Sequence, residues 1–259
     1  MNNLVDIQDL TLIYHSIDSE TTALDKINLT IKNEEFISIV GPSGCGKTTI
    51  LSIIAGLLPA TSGTVLVDGK RPSTKDNICG YMFQRDNLLP WRNIESNIYF
   101  GLEVKHQKTK ERKSYALSLA EKYGLKDFLA KHPGELSGGM RQRVALIRTL
   151  ALQPELLLLD EPFSALDYQT RLELCDHVYQ IIKQEKKTAV LVTHDIQEAI
   201  SMSDRVIVLS RRPAVVKAIH ETGFDPNLTP FERRKTDKCK ELFDIIWQEI
   251  QNEQTKDTI

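Results

Sequence analysis

The sequence is poor in everything that would place a chain inside a membrane or staple it covalently. No apolar run in its 259 residues approaches the ~20 that a bilayer span requires. The leading stretch Met1-Asn2-Asn3-Leu4-Val5-Asp6 has neither the basic start nor the apolar core of a secretion signal, so membrane association is expected only through a partner. Cys45, Cys79, Cys175 and Cys239 are scattered, with no Cys-x-x-Cys pair and no histidine at zinc spacing. That argues against a disulfide framework or a zinc site and fits a reducing compartment. An excess of one charge is also lacking. The 33 Lys and Arg against 35 Asp and Glu leave a net charge of −2, and no global field argues for nucleic acid. No internal repeat or low-complexity tract interrupts the chain. What remains is an ordinary globular balance, 41% hydrophobic and 26% charged, with room for a substantial core.

Against that background one stretch carries chemistry: Gly41-Pro42-Ser43-Gly44-Cys45-Gly46-Lys47-Thr48-Thr49. The apolar run Phe36–Val40 precedes it and Ile50–Ala55 follows, so it reads as strand, loop, helix. Glycines let the backbone bend around a phosphate with its N–H groups turned inward, and the helix beginning near Lys47 points its positive end at the same place. Lys47 supplies a point charge for the β- and γ-phosphates, and the Thr48 hydroxyl is placed to ligate Mg²⁺. Cys45 reads as a small filler of this loop, although a thiol at a helix N-terminus can have a lowered pKa.

Around this motif, alternation over Leu4–Leu12 and Leu24–Ile31 predicts two early strands, with further strands at Thr64–Val67 and Ile78–Phe83. Residues 88–155 turn helical in pattern, with helices expected at Ile94–Leu102, Thr109–Tyr123 and Gly138–Leu152. From Leu156 strands and helices alternate again, which implies a parallel sheet and so an α/β core with a helical insert. A terminal helix over Phe231–Gln251 places Leu242, Phe243, Ile246 and Ile250 on one face, most simply packed on the same subunit. The nearby run Arg233-Arg234-Lys235, with Lys238 and Lys240, reads as a solvated face.

The run Leu156–Leu159 ends in Asp160 and Glu161, two carboxylates at the end of a buried strand. Asp160 is placed to hold Mg²⁺, directly or through water, and Glu161 to polarise a water attacking the γ-phosphate. Between the phosphate loop and this strand lies Leu136-Ser137-Gly138-Gly139-Met140-Arg141-Gln142-Arg143, where Ser137 and two glycines open a helix with a bare N-terminus. This resembles the signature of ATP-binding subunits of ABC transporters, with Met140 where the family more often has Gln. The resemblance covers residues 4 to about 220.

The resemblance implies a P-loop ABC-type fold: a mixed sheet with flanking helices, an N-terminal antiparallel β subdomain, a helical subdomain at 88–155, and a C-terminal extension at 221–259, all one ATP-binding domain. It implies a homodimer with each ATP held between the phosphate loop of one subunit and Ser137, Gly138 and Gly139 of the other. Gln84 matches the glutamine that contacts Mg²⁺ or the attacking water, and His194 the histidine at the γ-phosphate. Tyr14 matches the aromatic that stacks on adenine, and Ser164-Ala165-Leu166-Asp167 the loop that crosses the interface. His15, His106, His132, His177 and His220 are left as structural. The segment Leu88-Leu89-Pro90-Trp91 and Ser210-Arg211-Arg212-Pro213 are similar to the nitrate, sulfonate and taurine importer subgroup. That implies a peripheral ATPase on the cytoplasmic face, paired with two membrane permease subunits and fed by an external solute-binding protein. In this family the helical insert receives the permease, and Leu88, Leu89 and Trp91 are candidate contacts, or equally buried core. A soluble ABC-type ATPase acting on ribosomes or DNA is the alternative.

Overall fold

The computed structural model describes residues 3–16, 19–76, 78–164 and 166–254; Met1 and Asn2 of the leading stretch and Ala165 of the loop before Asp167 lie outside them. Two long strands, β1 (Asn3–His15) and β2 (Glu20–Lys32), pair antiparallel, followed by β3 (Phe36–Val40), α1 (Lys47–Ile54) and β4 (Ser62–Val67). β4 returns to the far side of β1 and completes a small antiparallel sheet. β1 and β2 outrun the alternating stretches in sequence because β1 is bulged. Its register shifts between Ile7 and Leu10, where Asp9 takes a φ of 49°, and this keeps buried residues on the core side of a twisted strand.

The chain continues through β5 (Cys79–Met82), α2 (Ile94–Val104), α3 (Lys110–Lys122), α4 (Gly138–Leu150), β6 (Leu156–Asp160), α5 (Tyr168–Gln184) and β7 (Thr188–Val192). It ends in α6 (Ile196–Met202), β8 (Arg205–Leu209), β9 (Val216–Glu221), α7 (Pro230–Arg233) and α8 (Asp237–Gln254). The large sheet has the order β5-β6-β7-β3-β8-β9, and only β9 runs antiparallel.

Every residue of β3, β6 and β7 is buried, the expected fate of uninterrupted apolar strands covered on both faces. Alternate side chains of one strand serve opposite faces. Leu156 and Leu158 pack with α1 and the small sheet, whereas Leu157 and Leu159 pack with α2, α4 and α5. Because β5, β6, β7 and β3 are neighbours running the same way, their C-terminal ends open on one edge. That edge carries Gln84, Asp160 with Glu161, His194 and Gly41, residues far apart in sequence.

Leading into α2, buried Asn97 organises the loop after Gln84. Its Oδ1 accepts from the Leu89 N–H at 2.7 Å, while its Nδ2 donates to the carbonyls of Leu89, Arg92 and Asn93 at 3.0–3.1 Å. The loop so held buries Leu88, half-buries Leu89 and leaves Trp91 72% exposed.

The terminal segment departs from the expected single helix. Thr229 and Glu232 close a capping box around Pro230 to start α7, and Thr236 accepts from the Cys239 N–H at 3.2 Å at the start of α8. Ile246 and Ile250 are buried, and Leu242 and Phe243 half-buried, against α6 and β8, so the apolar face packs on the body of the chain. Of the basic run, Lys235, Lys238 and Lys240 are exposed as a solvated face requires, Arg234 is half-buried and Arg233 departs from it. Arg233 is 2% exposed, its guanidinium lies over the Tyr179 ring at 4.6 Å, and it donates to the Tyr179 hydroxyl and the Ser201 carbonyl.

Candidate functional site

The glycine loop wraps the N-terminus of α1 as its sequence requires. Gly46 caps the helix at a φ of 115°, and a Cβ there would lie 2.8 Å from Leu24 Cδ2, so both conformation and space demand glycine. Lys47 Nζ donates to the Gly41 and Pro42 carbonyls at 2.9 Å each, holding its charge at the centre of the loop. A cleft of about 440 Å³ opens above it, lined by Gly41, Ser43, Gly44, Gly46, Lys47, Thr48 and Thr49 together with Glu161, His194 and Arg212. Pro42 and Cys45 back the loop. Cys45 is 1% exposed, and burial pushes its thiol up against the pull of Lys47, so the lowered pKa conceivable from its position does not arise. Tyr14 stands at the margin, 43% exposed, its hydroxyl 3.2 Å from Thr49 Oγ1.

Asp160 meets the loop directly: Thr48 Oγ1 donates to its Oδ1 at 3.0 Å and Tyr81 Oη to its Oδ2 at 3.2 Å. Burial pushes the Asp160 carboxyl up, and these two hydrogen bonds oppose the shift. A cation beside it would favour the ionised form. The donors gathered here are a hydroxyl, a carboxylate and the nearby Gln84 amide, all hard oxygens suited to Mg²⁺. Among the described residues no group of three or more His, Cys, Asp and Glu could hold a metal.

Glu161 follows in the left-handed region at a φ of 45°, a strained position that turns its side chain out of the strand line. Its Oε2 lies 3.2 Å from Gln84 Nε2 and 3.1 Å from His194 Nδ1, so three strand ends converge on one carboxylate. Gln84 also donates to Ser164 Oγ at 3.3 Å.

The signature residues lie elsewhere. Ser137 caps α4, accepting from the Met140 N–H at 3.3 Å, and Asp167 caps α5, accepting from Thr170 N–H at 3.0 Å. Gly139 lets the two helix starts touch, since a Cβ there would fall 2.6 Å from Thr170 Cγ2. Gly138 lines a separate cleft with Gln84, Arg141, Gln142, Ser164 and Leu166. Ser137, Gly138, Gly139 and Asp167 therefore do not line the phosphate-loop cleft of their own chain.

Two participants were not assigned a role from sequence. Tyr81 reaches Asp160 only through the tertiary fold. Arg212, noticed only as part of a subgroup motif, donates to the Gly44 carbonyl at 2.7 Å. Its signal was a charged residue just past a core strand that ends beside the glycine loop. The five other histidines line neither cleft.

Behind His194, Glu198 on α6 is 3% exposed, and burial, helped by Asp195, pushes its carboxyl up to about 8 from an ordinary value of 4.5. The folded chain therefore holds a proton that the unfolded chain releases above pH 4.5. The stabilisation is complete below that value and is lost as pH climbs to about 8. Glu198→Gln, which keeps the neutral shape, should flatten the fall of thermal midpoint between pH 5 and pH 8.5. An unchanged slope in a pH series of melting curves would refute the assignment.

Residues 24–164 match the family described as ABC transporter. An uncharacterised ABC transporter ATP-binding protein of Bacillus subtilis is 48% identical, over 94% of this chain and 94% of its own. A nitrate import ATP-binding protein of a Synechocystis species is 40% identical, over 82% of this chain and 80% of its own. An ATP-binding cassette solved as a dimer in a post-hydrolysis state with ADP and Pi superposes with a TM-score of 0.72 at 33% identity, over 85% of this chain and all of that one. With the glycine loop, the strand-end carboxylates and the split signature in place, the chain belongs to the ABC transporter family, as an ATP-binding subunit whose ATPase is coupled to transport.

Proposed function

We propose that this subunit drives import of a small solute, nitrate, a sulfonate, taurine or a similar compound, through a membrane permease. It works as a homodimer on the cytoplasmic face, with two permease subunits and an external solute-binding protein supplying the cargo. The observation that carries the dimer is the separation of the two anion sites. A cleft lined by Gly41–Thr49, Glu161 and His194 lacks Ser137–Gly139, and a second copy placed head to tail would supply them. The nitrate import relative and the Leu88–Trp91 motif support the substrate class.

In this reading Lys47 and the loop amides hold the β- and γ-phosphates, and Tyr14 stacks on adenine. Thr48, Asp160 and Gln84 would hold Mg²⁺, which would supply positive charge against the phosphates. Glu161 polarises the attacking water and His194 fixes the γ-phosphate. Catalysis is then positioning and charge stabilisation. Asp167 and its loop cross to the partner. Hydrolysis removes the charge that bridges the two subunits.

The helical subdomain, residues 88–155, receives the permease. Exposed Trp91 is its contact, and Gln84 senses it through α4, where Gln142 Nε2 donates to the Gln84 carbonyl at 3.3 Å. Trp91→Ala should leave stability within about 0.5 kcal/mol, because the ring buries little in the free subunit. A tagged pull-down from gently solubilised membranes should recover a multi-span membrane protein with the wild type and much less with Trp91→Ala. Recovery of only ribosomal or DNA-bound proteins would discard the transport reading and keep the ATPase.

A further inference from the structure

The C-terminal segment reaches the back of the loop that bears His194. Helix α7 docks between α5 and α6: the Phe231 N–H donates to Asp176 Oδ1 at 2.9 Å, and Arg233 is held by Tyr179 and the Ser201 carbonyl. The next residue, Arg234, turns inward, its Nε donating to Ser201 Oγ at 3.1 Å and its Nη2 lying 4.0 Å from Cys175 Sγ. Ser201 and Glu198 share α6, whose N-cap is Asp195, the neighbour of His194.

From there a chain of contacts runs to the site. The Ser201 hydroxyl that takes the Arg234 Nε–H in turn donates to the Glu198 carbonyl at 3.2 Å. The Glu198 N–H donates to Asp195 Oδ1 at 3.0 Å, and the Asp195 N–H to Thr193 Oγ1 at 3.0 Å. Arg171 closes the ring, with Nη1 3.5 Å from Asp195 Oδ2 and Nη2 donating to the Leu166 carbonyl at 3.0 Å. Arg234 Nη1 and Arg171 Nε are buried without a hydrogen-bond partner among the described residues. Two guanidiniums thus approach α6 from opposite elements, Arg171 at its N-cap Asp195 and Arg234 at Ser201, each with one buried nitrogen.

We propose that Arg234 is a positioning residue for hydrolysis: through Ser201 and Glu198 of α6 it sets the Thr193–Asp195 loop, so that the seated C-terminal segment is required to hold His194 at the γ-phosphate. A second tie runs from α8, where the Glu253 carboxylate accepts from the Arg211 N–H at 3.4 Å beside Arg212, and it leaves the Arg234 connection through α6 separate. The inference rests on the reading of His194 given above.

In the full-length chain, Arg234→Met should lower kcat for ATP hydrolysis about tenfold, in keeping with a small misplacement of a positioned group. The Kd for ATP should stay within about twofold of wild type, because the loop amides and Lys47 are untouched. Thr193→Val, similar in shape and at the far end of the same chain of contacts, should do the same. The double variant should fall no lower than the worse single, since both cut one connection. Arg234→Lys should recover at least half of the lost turnover. Wild-type kcat in folded Arg234→Met, multiplying losses in the double variant, or parallel loss of kcat and ATP affinity would each overturn the proposal. Should Arg234→Met fail to fold, Arg234→Lys paired with Thr193→Val completes the same cycle. His194→Ala separates the two claims. Wild-type turnover there would sink the reading of the site itself, whereas slow His194→Ala beside fast Arg234→Met would sink only this inference.

Discussion

Lys47→Ala should weaken ATP binding by about 3 kcal/mol, roughly a hundredfold in Kd, the cost of removing one partner from a buried charge-assisted contact. Lys47 is 8% exposed and its ammonium is bonded to two carbonyls of its own loop, which places it where phosphate oxygens would replace those carbonyls. Alanine leaves the Gly41 carbonyl, whose residue lines the cleft, open to water, so the fold should survive. Isothermal titration with ATP, alongside a melting curve of the variant, measures both parts. Wild-type affinity in a folded variant would contradict the role given to the glycine loop.

Glu161→Gln should separate binding from turnover. Glutamine preserves the side-chain shape and its hydrogen bond with Gln84 or His194, but it cannot polarise water as a carboxylate does. Loss of a positioned general base costs roughly 10²–10⁴-fold, and steady-state phosphate release should fall by that order while ATP affinity is retained. Turnover close to wild type would remove Glu161 from the chemistry and leave His194 and Gln84 converging on a carboxylate with no catalytic purpose.

What could be read in the sequence was what the backbone encodes locally. A phosphate loop announces itself because glycine spacing, the preceding apolar strand and the following helix are contiguous, and the structure puts Gly41 to Thr49 around one helix start. Asp160 and Glu161 were legible because β6 is an unbroken apolar strand whose end must face the open edge of the sheet. The partners of these residues were not legible. Tyr81 and Arg212 meet Asp160 and Gly44 only because β5 and β8 end on the same edge, a fact of strand order that spacing does not carry.

The same limit explains the errors. β9 was not expected because it is an edge strand whose residues alternate between half-buried and exposed, with no apolar face to mark it. Within the basic run Arg233 alone is fully buried, because charge predicts solvation on average whereas its guanidinium lies between Tyr179 and Phe224. Cys45, read as a small filler of the loop, is buried there, and burial pushes its thiol up.

The central claim, one ATP held between the glycine loop of one copy and Ser137–Gly139 of the other, is tested most directly by sedimentation velocity of the Glu161→Gln chain with Mg²⁺ and either ATP or ADP. The expected result is a dimer with ATP, a monomer with ADP, and a monomer in both when Ser137→Arg is added. A chain that binds ATP yet stays monomeric, or a dimer indifferent to nucleotide and to Ser137, would contradict it.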